Sequence, residues 1–213
     1  MRIKIFRMSR TKETSDSIQQ AVVETPHIVV PPRRRRAGDY AAVALATCGV
    51  GYIPIAPGTW GAGVGVGLYL AVGSFTGWVV VNAASSGVGR AALPFQQTLT
   101  TMLLLAVVLV SLAGTWAATR AEKLLGRKDP GAVVVDEVAG QLITFLFVPW
   151  EMGVWTVVAG FLAFRLFDIW KPYPINRLEA LPSGLGVMAD DVLAGAYAAA
   201  LMSLLTTAHL LLY

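Results

Sequence analysis

Residues 98–118 run from one end to the other without a charged side chain, and nothing else in the chain constrains its fold as tightly. A helix of that length covers roughly 30 Å, the thickness of a bilayer's hydrocarbon core. Similar apolar runs occupy 62–81, 132–150, 153–170 and 192–213, with 132–150 and 153–170 close to the minimum spanning length. A shorter one at 41–56 is broken by Gly49, Gly51 and Pro54, so it reads as re-entrant or interfacial. No strand alternation and no internal repeat is visible. The expected fold is all-α: a compact multi-helix membrane protein with about five spans plus a short re-entrant or interfacial helix. Composition agrees, since 55% of residues are hydrophobic and 14% charged, against about 25% charged in soluble domains. Gly140, Gly160 and Gly195 fall inside the apolar runs, where small residues let helix backbones approach closely.

Basic residues set the expected orientation. Of 17 Lys and Arg, nine lie in residues 1–40, four in 119–131 and three in 165–190, leaving only Arg90 elsewhere. With five alternating spans these sixteen share one side, which the positive-inside rule makes cytoplasmic. A sixth crossing at 41–56 would move the arginine run Arg33–Arg36 outside, so that run argues against it. Placed just before an apolar segment, the run reads as a cytoplasmic membrane flank rather than a nucleic-acid patch. Residues 1–39 are polar, mixed in charge and hold Pro26, Pro31 and Pro32. They read as a disordered basic tail ahead of a helical domain at 40–213. No secretory h-region or cleavage site is visible in them. The single cysteine, Cys48, excludes an internal disulfide and a cysteine-based zinc cluster. In its apolar setting it reads as an inert thiol.

Five carboxylates end up at the edges of these apolar runs: Asp136, Glu137, Asp168, Asp190 and Asp191. An acid beside hydrocarbon is costly unless it is paired, solvated or bound to a cation. The expected topology brings all five to the cytoplasmic face. Helix-dipole stabilisation explains one of Asp136 and Glu137 well and two less well. At helical spacing Asp136 shares a face with Gly140, and Glu137 with Gln141. An N-cap explains one of Asp190 and Asp191. Asp168 follows Arg165 by three residues, so a mutual ion pair competes with a functional role. Lys171, just before Pro172, is either a snorkelling anchor or a phosphate ligand. The loop Pro57-Gly58-Thr59-Trp60-Gly61 opens a helix. Its free N–H groups and the Thr59 hydroxyl would suit an anion, although Pro-Gly-Thr also makes an ordinary turn.

Several chemistries are excluded. Only His27, in the tail, and His209, near the far end of the last helix, offer imidazole, which disfavours a histidine-nucleophile phosphatase. Cys48 has no arginine six residues on, no Asp-x-Asp pair occurs, and there is no Gly-x-Ser-x-Gly elbow. Metal-assisted chemistry on carboxylates remains.

Four motifs in order resemble the bacterial phosphatidylglycerophosphatase A family over residues 41–210. They are Pro57-Gly58-Thr59-Trp60-Gly61, Asp136-Glu137-Val138-Ala139-Gly140, Phe164-Arg165-Leu166-Phe167-Asp168-Ile169-Trp170-Lys171-Pro172-Tyr173-Pro174-Ile175, and Gly184-Leu185-Gly186-Val187-Met188-Ala189-Asp190-Asp191. The chain departs from the family pattern at Ala62, where a serine often follows the first motif's glycine. The resemblance implies a helical enzyme of the bacterial cytoplasmic membrane, multi-pass, with its active site facing the cytoplasm. It would remove the terminal phosphate of phosphatidylglycerophosphate with Mg²⁺, giving phosphatidylglycerol. Asp136, Glu137, Asp168, Asp190 and Asp191 would be metal ligands. Glu137, Asp168, Asp191 and Arg165 would act in catalysis, with Glu137 or Asp191 as general base. Gly58, Thr59 and Lys171 would sit near the phosphate. No nucleic acid and no protein partner is expected. The alternative is a small carboxylate-lined cation-binding membrane protein or transporter, whose acids would be spread through membrane depth. A catalytically silent lipid-binding member is a third reading that no feature demands.

Overall fold

The computed structural model describes residues 36–85, 94–126, 128, 130–178, 181 and 183–212. The tail up to residue 35 and Arg90, on which part of the charge reading rests, lie outside them. The described residues form seven α-helices and no strand. These are α1 (Ala37–Thr47), α2 (Pro57–Ser85), α3 (Phe95–Leu125), α4 (Val135–Thr144), α5 (Val154–Trp170), α6 (Ile175–Leu178) and α7 (Gly184–Leu212). Residues 37–39, grouped with the tail by composition, thus belong to α1. Asp39 is what holds them. It is buried, accepts the Arg36 amide at 2.8 Å, and pairs with Arg120 Nε of α3 at 2.7 Å.

Local chemistry sets the ends of the long helices. Pro57 stands at the first position of α2, where a missing N–H leaves nothing unsatisfied. Gly126 closes α3 in the left-handed conformation (φ 72°), its amide reaching the Glu122 carbonyl at 2.9 Å. Lys171 closes α5 the same way (φ 45°), and Pro172 prevents continuation.

Short, buried α4 is the centre of the molecule. Every one of its residues except Glu137 is buried, and it packs against α7, α2, α3 and α5. Small residues make the approach possible. A Cβ on Gly195 of α7 would run into the backbone of Gly140 on α4, and one on Gly65 of α2 would meet the Gln141 side chain. At the end of α4 remote from its acids, Tyr69 stacks on Phe145 at 4.3 Å between ring centres, and Trp150 closes over Tyr69 at 5.3 Å.

Three helices are long and apolar enough to cross a membrane: α2, α3 and α7. Only 22%, 22% and 28% of their apolar windows is buried, so most of that surface needs an apolar solvent. Exposed Trp60 and Trp78 on α2 are roughly 27 Å apart along the axis, close to a bilayer's hydrocarbon thickness. These three spans match the predicted runs 62–81, 98–118 and 192–213, each extended by a turn or more.

The five-span expectation needs correction at 132–150. That run is not one helix: α4 has 10 residues and reaches only about 15 Å. The chain then turns through Phe145, Leu146 and Phe147. Hydropathy misreads it because a helix buried in protein and one facing lipid are equally apolar. Helix α5, with 17 residues, falls just short of a span, yet Val154, Val158, Leu162, Leu166 and Ile169 form an exposed apolar stripe along it. The run 41–56 folds as α1 plus a short 3-10 turn (Val50–Tyr52), in keeping with a short non-spanning helix.

Candidate active site

Three helix ends and the second turn of a fourth helix meet where the acids are. Helices α2 and α4 begin there, α5 ends there, and α7 passes by in its second turn. The Val134 amide, just before α4, donates to the Ala46 carbonyl at 2.8 Å and fixes the end of α1 beside them.

Asp136 and Glu137 lie in the first turn of α4, where the helix dipole favours negative charge. Asp191 enters from α7. One carboxylate oxygen from each of the three lies within 4.8 Å of the others. Asp136 is 8% exposed and Asp191 3%, so water does little to separate these charges. Asp136 and Glu137 stand side by side in this cluster. Burial first, then the charges of Glu137 and Asp191, push the Asp136 carboxyl well above the usual carboxylate range. Asp136 Oδ1 and Glu137 Oε2 are buried without a hydrogen-bond partner.

The other two acids flank this trio and carry basic partners. Asp168, in the last turn of α5, has the Asp191 carboxylate as a neighbour on one side and is ion-paired with Arg165 Nη1 on the other. Asp190 accepts Lys171 Nζ at 2.7 Å. The Arg165–Asp168 pair proposed as a competing role therefore exists, and the same Asp168 also reaches the acid cluster. Lys171 is turned inward to Asp190.

The loop before α2 supplies the remaining wall. A Cβ on Gly58 would collide with Glu137 Oε1 and come within 3.0 Å of Arg165 Nη1. Glycine is thus required here for close approach. A Cβ on Gly61 would come within 2.8 Å of Val134 and 3.3 Å of Glu137 Cβ. Thr59 is half-buried in the first turn of α2, its amide bonded to the Ala56 carbonyl at 2.9 Å. Cys48 is close enough to feel Glu137. Burial, then that charge, raise its thiol, which makes it a poor nucleophile.

Three clustered carboxylates, those of Asp136 and Asp191 on buried residues and that of Glu137 on a half-buried one, with two orphaned oxygens and no nitrogen or sulfur donor in the cluster, form a set that fits a hard divalent cation such as Mg²⁺. Asp136, Glu137 and Asp191 would hold it. The close approaches at Gly61 and Gly65 and the Asp39–Arg120 tie were not read from the sequence, because each depends on contacts between helices distant in the chain. Gln141 was placed only on the face of Glu137; its burial without partners was not foreseen.

Lipid-length helices and a cluster of acids flanked by Arg and Lys define a helical, membrane-type protein with a polyanionic site at one end of its helices. Comparison with known sequences narrows this: the chain belongs to the phosphatidylglycerophosphatase A family, whose model matches residues 43–206. It is 34% identical to phosphatidylglycerophosphatase A of Escherichia coli K12, over 62% of this chain and 79% of the relative. The enzyme of the same name from Haemophilus influenzae Rd is 32% identical over 70% of this chain and 78% of its own length. A Bacteroides thetaiotaomicron protein provisionally named a phosphatidylinositol-3-phosphatase is 41% identical, over 70% and 82% respectively. No solved structure matches the chain.

Proposed function

We propose that the protein is a lipid phosphatase of the bacterial inner membrane that hydrolyses phosphatidylglycerophosphate to phosphatidylglycerol and phosphate. The observation that carries this reading is the trio Asp136, Glu137 and Asp191 beside Arg165 and Lys171, in a chain of this family. Mg²⁺ is the proposed cation, and when bound it neutralises phosphate charge. Arg165 and Lys171 hold the phosphate oxygens and balance the charge that develops on them. Glu137, whose Oε1 faces Gly58 and Arg165, takes a proton from the attacking water. The water oxygen bonds to phosphorus as the bond to the glycerol oxygen breaks, and that oxygen leaves as the alcohol on taking up the proton that Glu137 received. Gly58 and Thr59 border the phosphate at the start of α2. Gathering of the acids at one end of the helices supports an enzyme over a cation path through the bilayer. The sequence distribution of Lys and Arg, sixteen of which the expected topology puts on one side, supports a site facing the cytoplasm.

A second substrate is favoured by one observation, the relative named for phosphatidylinositol 3-phosphate. Both lipids present a phosphate monoester on a glycerophospholipid headgroup. The test is phosphate release by purified protein from each lipid in mixed micelles, with Mg²⁺ and with EDTA. Release from phosphatidylglycerophosphate, abolished by EDTA and by Asp190→Asn, is expected. Turnover of the inositol lipid alone would reassign the substrate, and no release from either lipid by folded protein would overturn the reading.

A further inference from the structure

Gln141 is the one neutral side chain among the described residues whose polar atoms are buried without a hydrogen-bond partner, and it lacks partners at both Nε2 and Oε1. It is 0% exposed. An amide sealed from water in this way is costly, and a leucine or methionine would fill similar volume without the cost. Its placement gives it a use. Gln141 lies one turn after Glu137 on α4, and helical side chains lean toward the N-terminal end. The amide therefore leans toward the turn that carries Glu137. Gly65 of α2 leaves the room it occupies, since a Cβ there would come within 2.7 Å of Gln141 Cβ and 3.0 Å of its Cγ.

Glu137 has a complementary need. Its Oε1 faces Gly58 and Arg165, while its Oε2 is buried and unpartnered. We infer that Gln141 is a positioning residue of the acidic site, its Nε2 donating to Glu137 Oε2, directly or through one water, when the site is loaded. This hydrogen bond fixes the carboxylate plane and keeps Oε1 turned toward the substrate side. Groups that orient metal-site carboxylates in this way commonly change cation affinity or activity by about 10- to 100-fold. The inference rests on the divalent-cation reading of the site.

The test uses Gln141→Leu and Gln141→Met of the full chain in detergent, with Mn²⁺ binding followed by electron paramagnetic resonance and folding by thermal melting. Both variants are expected to melt at or above the wild-type temperature and to bind Mn²⁺ about tenfold or more weakly. Wild-type Mn²⁺ affinity in both folded variants would overturn the inference, leaving Gln141 as packing. Loss of folded protein in both would also overturn it, because the amide would then serve the fold. If the wild type itself binds no Mn²⁺, the cation reading fails, and this inference with it.

Discussion

Asp168 touches both halves of the site, Asp191 of the acid cluster and Arg165 of the basic flank. Asp168→Asn keeps the shape and removes one of several crowded negative charges. Turnover is expected to fall at least about 100-fold, the scale of losing one catalytic group, while the melting temperature holds or rises. Full activity would remove this residue from the mechanism. Gly58→Ala probes the same centre by crowding. The added methyl meets the flexible ends of Glu137 and Arg165 rather than backbone, so those groups yield while the helix stays. Activity is expected to drop by about 10- to 100-fold, in line with misplacement of reacting groups by an ångström or so, with little change in melting. Intact activity would show that Glu137 and Arg165 tolerate displacement. The identity of these residues was legible in the sequence, because charge at the edge of an apolar run is costly enough to need a reason. Their division of labour was not. Which acids face one another, and which carry a basic partner, depends on side chains from α4, α5 and α7 meeting in space.

Among the elements, α4 decides the architecture. Its acids are placed by a helix that contacts five others, so the site is only as well ordered as that packing. Gly195→Ala tests it: the new methyl meets the Gly140 backbone, which cannot rotate away as a side chain can. A loss of about 1–3 kcal/mol of stability is expected from overpacking, read as a lower melting temperature in detergent. An unchanged melting temperature would show that α4 and α7 can part without cost. Length alone could have warned that 132–150 was no simple span, since Pro149 and the acids confine its apolar part. Periodicity could not, because a helix surrounded by protein has no polar face to mark its period. The opposite holds for α2, α3 and α7, whose lipid-length runs gave correct positions to within a few turns.

For the whole molecule, the membrane explains the large exposed apolar surface of α2, α3, α5 and α7. Its orientation is a separate matter that charge predicts. With Cys48→Ala as background, a cysteine at position 36 is expected to resist a membrane-impermeant thiol reagent added from outside, and to react once the membrane is opened. Labelling from outside would invert the topology and bring the acids to the outer face. Crowded anions make a related prediction. Removing divalent cations should lower the melting temperature of the wild type, since the repulsion between Asp136, Glu137 and Asp191 is then relieved only by protonation. In Asp136→Asn the same treatment should have a smaller effect. An equal effect would place the relevant cation elsewhere.

The sequence by itself determined that the chain is helical, where its three longest apolar helices run among the five spans expected, and which carboxylates need a compensating partner. These follow from local chemistry, namely apolar length, helix-ending residues and the cost of charge beside hydrocarbon. Only the tertiary structure decided that a predicted span is a buried 10-residue helix. It also decided that Gly58 is the gap through which Glu137 meets Arg165, and that Gln141 stands unpartnered behind the acids. Those facts are distances between residues far apart in the chain, and they are fixed by how closely helix backbones can approach, which hydropathy does not encode.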